Sequence, residues 1–132
     1  MGLPAATATC MVLGVDNHFV LVPTPGGPVP VLLPHPFTGQ LNGGLINTVK
    51  INGQPAAVVD STAAASPAHI PTPPGTSFQK PPANQGTVFM GSMTVKIGGK
   101  AAARMGDPVR TCNDPADVPV SKIIAAGTVL IG

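Results

Sequence analysis

The 132-residue sequence contains no Glu, no Trp and no Tyr, only four Phe, and only 9% charged residues. Each shortage removes a class of function. Seven Lys and Arg scattered from Lys50 to Lys122, with no Trp or Tyr beside them, provide neither a basic stripe nor a stacking platform for nucleic acid. A glycan site loses its usual flat aromatic faces for the same reason. The longest uninterrupted run of large apolar residues is Phe19–Val22, too short to cross a bilayer. The first positive side chain is Lys50, so the basic n-region of a secretory leader is missing and synthesis in the cytoplasm without a signal peptide is expected. Two cysteines, Cys10 and Cys112, are too few for a disulfide scaffold; they can pair once, or one can be a metal ligand.

A quarter of the chain is Gly or Pro, which borders on low complexity. Disorder is nevertheless excluded, because mean hydropathy is +0.32 and the net charge is only +2. Seventeen prolines forbid long helices, each costing a helix interior about 3 kcal/mol. In the long proline-free stretches, alternation of apolar and polar residues exceeds helical spacing. Thr48–Gly53 reads as a strand entering an Asn-Gly turn, Thr94–Gly99 as a strand entering a Gly-Gly turn, and Thr128–Gly132 as a third such strand cut off by the C-terminus. The segments Pro23–Pro36 and Pro67–Pro82 read as extended, pre-stiffened loops lying on a β scaffold.

A repeat organises these strands. Pro55-Ala56-Ala57-Val58 and Ala101-Ala102-Ala103-Arg104 follow two of the turns, and Pro4-Ala5-Ala6-Thr7 is a third copy without a strand before it. The terminal Thr128–Gly132 can supply that strand. Three copies, with the last strand completing the first, describe a closed pseudo-threefold body whose sheet edges are hidden.

Val95–Asp107, with its strand, Gly turn and Ala-Ala-Ala-Arg tetrad, resembles the signature of the PAAR-repeat proteins, and the other two tetrads resemble weaker copies. The resemblance implies an all-β fold: a single conical domain over residues 1–132, with long Pro-rich loops and no fused effector. It implies a structural tip, not an enzyme, that caps and sharpens the trimeric VgrG-like spike of a contractile injection system. Such systems include type VI secretion machines, extracellular injection particles and phage tails. The implied partner is that spike, bound through the broad face as one monomer on a trimer, with an effector or adaptor as a further partner. The tip would be delivered outside the cell and would puncture a membrane without residing in it.

The spacing adds a candidate metal site. His18 follows Pro4 by 14 residues, His69 follows Pro55 by 14, and Cys112 follows Ala101 by 11. Three arms of a pseudo-threefold body would bring these ligands together, and a closed structural zinc site needs a fourth, for which His35 is the histidine left. The resemblance implies the same set, three His and one Cys near the apex. Cys10 reads as a small buried hydrophobe, and Asp16 as a group that orients a ligand ring or caps a turn. The alternative is a zinc-dependent hydrolase, which needs an open coordination position and a carboxylate base. No Gly-x-Ser-x-Gly elbow or phosphate-binding loop is present.

Overall fold

The computed structural model describes residues 2–132, and among these there is no helix. The first seven strands are β1 (Leu3–Pro4), β2 (Met11–Val22), β3 (Val29–Gly43), β4 (Ile46–Ile51), β5 (Gln54–Ala56), β6 (Thr62–Ala65) and β7 (Ser77–Phe78). The remainder are β8 (Gln85–Val88), β9 (Lys96–Ile97), β10 (Lys100–Ala101), β11 (Pro108–Thr111), β12 (Val118–Ile124) and β13 (Leu130–Ile131).

The strands form two sets, each used three times. Small antiparallel ladders join β4 to β5, β9 to β10 and β13 to β1. In the first, Ile51 faces Gln54; in the second, Ile97 faces Lys100; in the third, Ile131 faces Leu3. The turns of the first two require left-handed backbone at both central residues, and Asn52-Gly53 and Gly98-Gly99 all have φ between 52° and 83°. The third ladder has no turn: the C-terminal strand closes on the N-terminal segment, as the repeat reading expected. Ile51, Ile97 and Ile131 pack together against Ala5 and Ala102.

The tetrads meet in a ring. Ala6 N–H donates to Ala103 C=O, Ala103 N–H to Ala57 C=O, and Ala57 N–H to Ala6 C=O, each at 3.0 Å. A second ring surrounds it, in which Ala8, Val59 and Met105 donate to Pro55, Ala101 and Pro4. The turn after each tetrad is also shared. Thr9, Asp60 and Gly106 have φ of 71°, 77° and 84°, and the next residue's side chain (Cys10, Ser61 or Asp107) accepts from the backbone N–H of Thr7, Val58 or Arg104. Asp60 and Asp107 therefore hold adjacent positions of this turn, not equivalent ones. Cys10 is a turn acceptor, half-buried, and both cysteines are free.

Above the rings, each repeat sends up one hairpin: β2–β3, β6–β8 and β11–β12. Their pairings β3–β6, β8–β11 and β12–β2 close a six-stranded barrel. Closure leaves little room, and the core is correspondingly fine-grained. Ala6, Ala57 and Ala103 floor it, while Val12, Leu41, Val88, Val109, Ile123 and the single buried ring of Phe37 fill it. Alanine in the tetrads is thus a packing requirement, since larger side chains would collide at the axis.

One expectation is corrected. Most of Pro23–Pro36, read as an extended loop, belongs to the β2–β3 hairpin, which pairs residue for residue from Met11↔Gln40 to Val22↔Val29. Proline normally excludes central strands because it cannot donate to a ladder. Here Pro30, Pro34 and Pro36 share one parity, opposite Leu21, Asn17 and Val15, so their missing donors all face away from β2. The segment Pro67–Pro82 is an irregular arm between β6 and β8, with only β7 pairing, at Val20 and Leu21 of β2.

Candidate metal centre

The centre lies at the end of the barrel opposite the alanine rings. On β2 the inward positions are Val12, Gly14, Asp16, His18 and Val20, and the facing strand β3 turns His35, Phe37 and Leu41 inward. His69 comes from the arm between β6 and β8, and Cys112 follows β11. Each hairpin thus contributes at a comparable height.

Asp16, His18, His69 and Cys112 bring one ligand atom each to within 4.8 Å of one another, and all four residues are buried. Asp16 is the hub. Its Oδ1 accepts from Thr111 Oγ1 and, at 3.1 Å, from Asn113 Nδ2. Its Oδ2 lies 2.9 Å from His69 Nε2 and 3.5 Å from Cys112 Sγ. His69 is held from behind, its backbone N–H donating to Asn84 Oδ1 at 2.8 Å. His18 differs: it is 1% exposed and neither ring nitrogen has a hydrogen-bond partner. Asp114 Oδ2 is 3.4 Å from its Nδ1.

His35 joins the cluster as a ring. Its centroid is 5.4 Å from that of His18 and 5.8 Å from that of His69, and the His18–His69 distance is 5.1 Å. Its nitrogens are engaged elsewhere: Nδ1 bonds Leu33 C=O at 2.9 Å, and Nε2 accepts from Thr72 N–H at 3.2 Å. The structure therefore brings His18, His69 and Cys112 together with Asp16, and sets the His35 ring edge-on to His18 and tilted to His69 at their rim.

The electrostatics favour a cation. Burial, with the Asp16 charge beside it, pushes the Cys112 thiol up from 9.0 to about 11. Burial lowers the His35 pKa below 6.5, and the neighbouring His18 and His69 act in the same direction. A buried carboxylate, an orphaned imidazole, a second imidazole and a thiol make a donor set that a divalent ion would complete. An unsatisfied buried polar group costs about 1–3 kcal/mol, which the ion would relieve at His18. The cluster can hold a metal ion.

Asp16 was legible as a member of this site, since it lies two residues from His18 and so on the same strand face. Asn84, Asn113 and Asp114 were not. Their side chains act only because the arms fold back: Asn113 Oδ1 and Asp114 Oδ2 accept from the backbone N–H groups of Asn17 and Phe19 at 2.7 and 3.0 Å.

Residues 78–132 match the family model described as the PAAR motif. A search of the curated proteins found no match. The matched segment begins at β7 and covers the third repeat with its closing strand, while the cyclic bonds through Ala6, Ala57 and Ala103 give the first two repeats the same geometry. With that geometry and that match, the third repeat and its closing strand carry the PAAR motif, which marks a structural spike-tip family of contractile injection systems.

Proposed function

We propose that this protein caps and sharpens the trimeric VgrG-like spike of a contractile injection system, for membrane puncture and attachment of an effector or adaptor. The observation that carries this reading is the alanine ring. A monomer meets a threefold partner evenly only if its own face repeats three times, and the three tetrads do so to within the same hydrogen-bond length. Made in the cytoplasm, the tip would assemble on the machine and leave with it. The test is native mass spectrometry of the purified chain mixed with a VgrG-like spike trimer from the same source. One chain per trimer is the expected stoichiometry; no complex, or three chains per trimer, would refute the reading.

At the apex, the ion in this proposal is zinc, held by His18, His35, His69 and Cys112. Imidazoles sharing one tetrahedral ion at 2.0–2.1 Å hold their centroids about 5 Å apart, and the three rings here are 5.1–5.8 Å apart. His35 would exchange its Thr72 bond for the ion, and Asp16 would remain the buried counter-charge. When bound, zinc would tie three sequence-distant arms where the apolar core ends, contributing folding free energy directly. A hydrolase is disfavoured by the burial of every donor. Zinc per chain measured on the wild type and on Cys112→Ser, Cys10→Ser, His35→Ala and Asp16→Asn variants tests the set. One zinc, lost with Cys112 or His35 and kept without Cys10, is expected; retention in His35→Ala with loss in Asp16→Asn would give the fourth place to Asp16.

A further inference from the structure

The two edges of the β2–β3 hairpin are treated differently above the barrel. The β2 edge is covered. Asn113 and Asp114 take its N–H groups, while Gln79 and Thr76 donate to Phe19 and Leu21 C=O at 3.0 Å. The β3 edge over Val29–Leu33 has no strand beside it among the described residues. It is also apolar, with Val29, Val31 and Leu32 37–45% exposed. Such an edge is a template for another chain, and proteins usually blunt it with charge. No Asp, Lys or Arg lies between Asp16 and Lys50.

The backbone parity shows what replaces the charge. Thr38 C=O accepts from Ser66 N–H at 2.7 Å and Pro34 C=O from Thr72 Oγ1 at 2.8 Å, both on the side away from β2. Leu41 N–H, of odd number, bonds Cys10 C=O on the β2 side. Even-numbered residues of this segment therefore turn their backbone outward. Pro28, Pro30, Pro34 and Pro36 are all even, so each deletes an outward donor and none breaks the β2 ladder.

We propose that this proline register keeps the protein monomeric by closing the outer edge of β3 to strand addition by a second copy of the chain. Between Pro28 and Pro36, Leu32 N–H is the single outward donor left. An added antiparallel strand would find acceptors along the edge and one donor, too few to form a ladder.

Sedimentation velocity over a hundredfold concentration range tests this on the full chain. The double variant Pro30→Thr/Pro34→Thr is expected to dimerise, whereas the wild type and Pro25→Thr, which alters only the turn, stay monomeric. Adding Leu32→Pro to the double variant should return it to monomer. A double variant with wild-type circular dichroism that stays monomeric throughout would overturn the proposal. Should the double variant not fold, the parity is read from Leu32→Pro and Leu33→Pro. The first should keep the wild-type melting temperature, and the second should lose about 10 °C by cutting a ladder bond. Equal losses in both would overturn it as well.

Discussion

Replacing any one of Ala6, Ala57 and Ala103 with valine should destabilise the protein by the same amount. Each is 0–1% exposed, each both donates to and accepts from the ring at 3.0 Å, and each floors the same core. Valine adds two methyl groups to a space closed on one side by backbone and on the other by Leu41, Val88 and Ile123. Overpacking of a tight core typically costs 1–3 kcal/mol, so we expect about 2 kcal/mol per site. With a urea dependence of about 1.5 kcal/mol/M, the unfolding midpoint should fall by about 1.3 M. The chain has no Trp or Tyr, so the transition is followed by far-ultraviolet circular dichroism. Ala64→Val is the control, because Ala64 is an exposed strand residue where a β-branched side chain is tolerated. Three midpoints that agree, with an unshifted control, would support one axis through three equivalent repeats. A single tolerated site among the three would refute the pseudo-threefold argument, whatever the other two did.

Phe37→Ala should cost about 3–5 kcal/mol, since it removes the one buried aromatic ring of the core. The same ring lies 6.0 Å from His69, so metal affinity should fall with stability, measured by chelator competition. Gly14→Ala places a Cβ 2.7 Å from the Ser121 Cα across the β2–β12 seam, and thermal melts should show barrel closure weakened by about 1–3 kcal/mol. In metal-free protein, the raised Cys112 pKa means that the folded state holds its proton longer than the unfolded state between pH 9 and about 11. Stability should therefore fall as pH rises through that window, and Cys112→Ser should remove the slope. The lowered His35 pKa acts at the other end: the unfolded state protonates first, so stability should fall as pH drops below 6.5.

Local chemistry was readable wherever a residue type has one backbone consequence. Asn52-Gly53 and Gly98-Gly99 announce tight turns because left-handed backbone at two successive positions suits few other residues. The strand missing before Pro4 could be assigned to the segment Thr128–Gly132 because the other two repeats showed what ought to be there, and Leu130–Ile131 within it makes the ladder. The prolines of Pro23–Pro36 misled for a related reason. Proline reports a missing donor but not the direction in which the donor would have pointed, and only the register with β2 supplies that direction.

The sequence by itself determined the all-β class, the three repeats and the closing strand, and it offered His18, His69 and Cys112 as candidate ligands, because these follow from turn chemistry, small-residue spacing and ligand chemistry. Tertiary structure alone decided the rest. It made Asp16 the hub of the buried cluster, engaged His35 with Leu33 and Thr72, and turned Asn84, Asn113 and Asp114 from loop residues into supports. Those roles depend on where three arms, separated by dozens of residues, come to rest against one another. Chain spacing sets how far an arm can reach, and only packing sets which atoms meet.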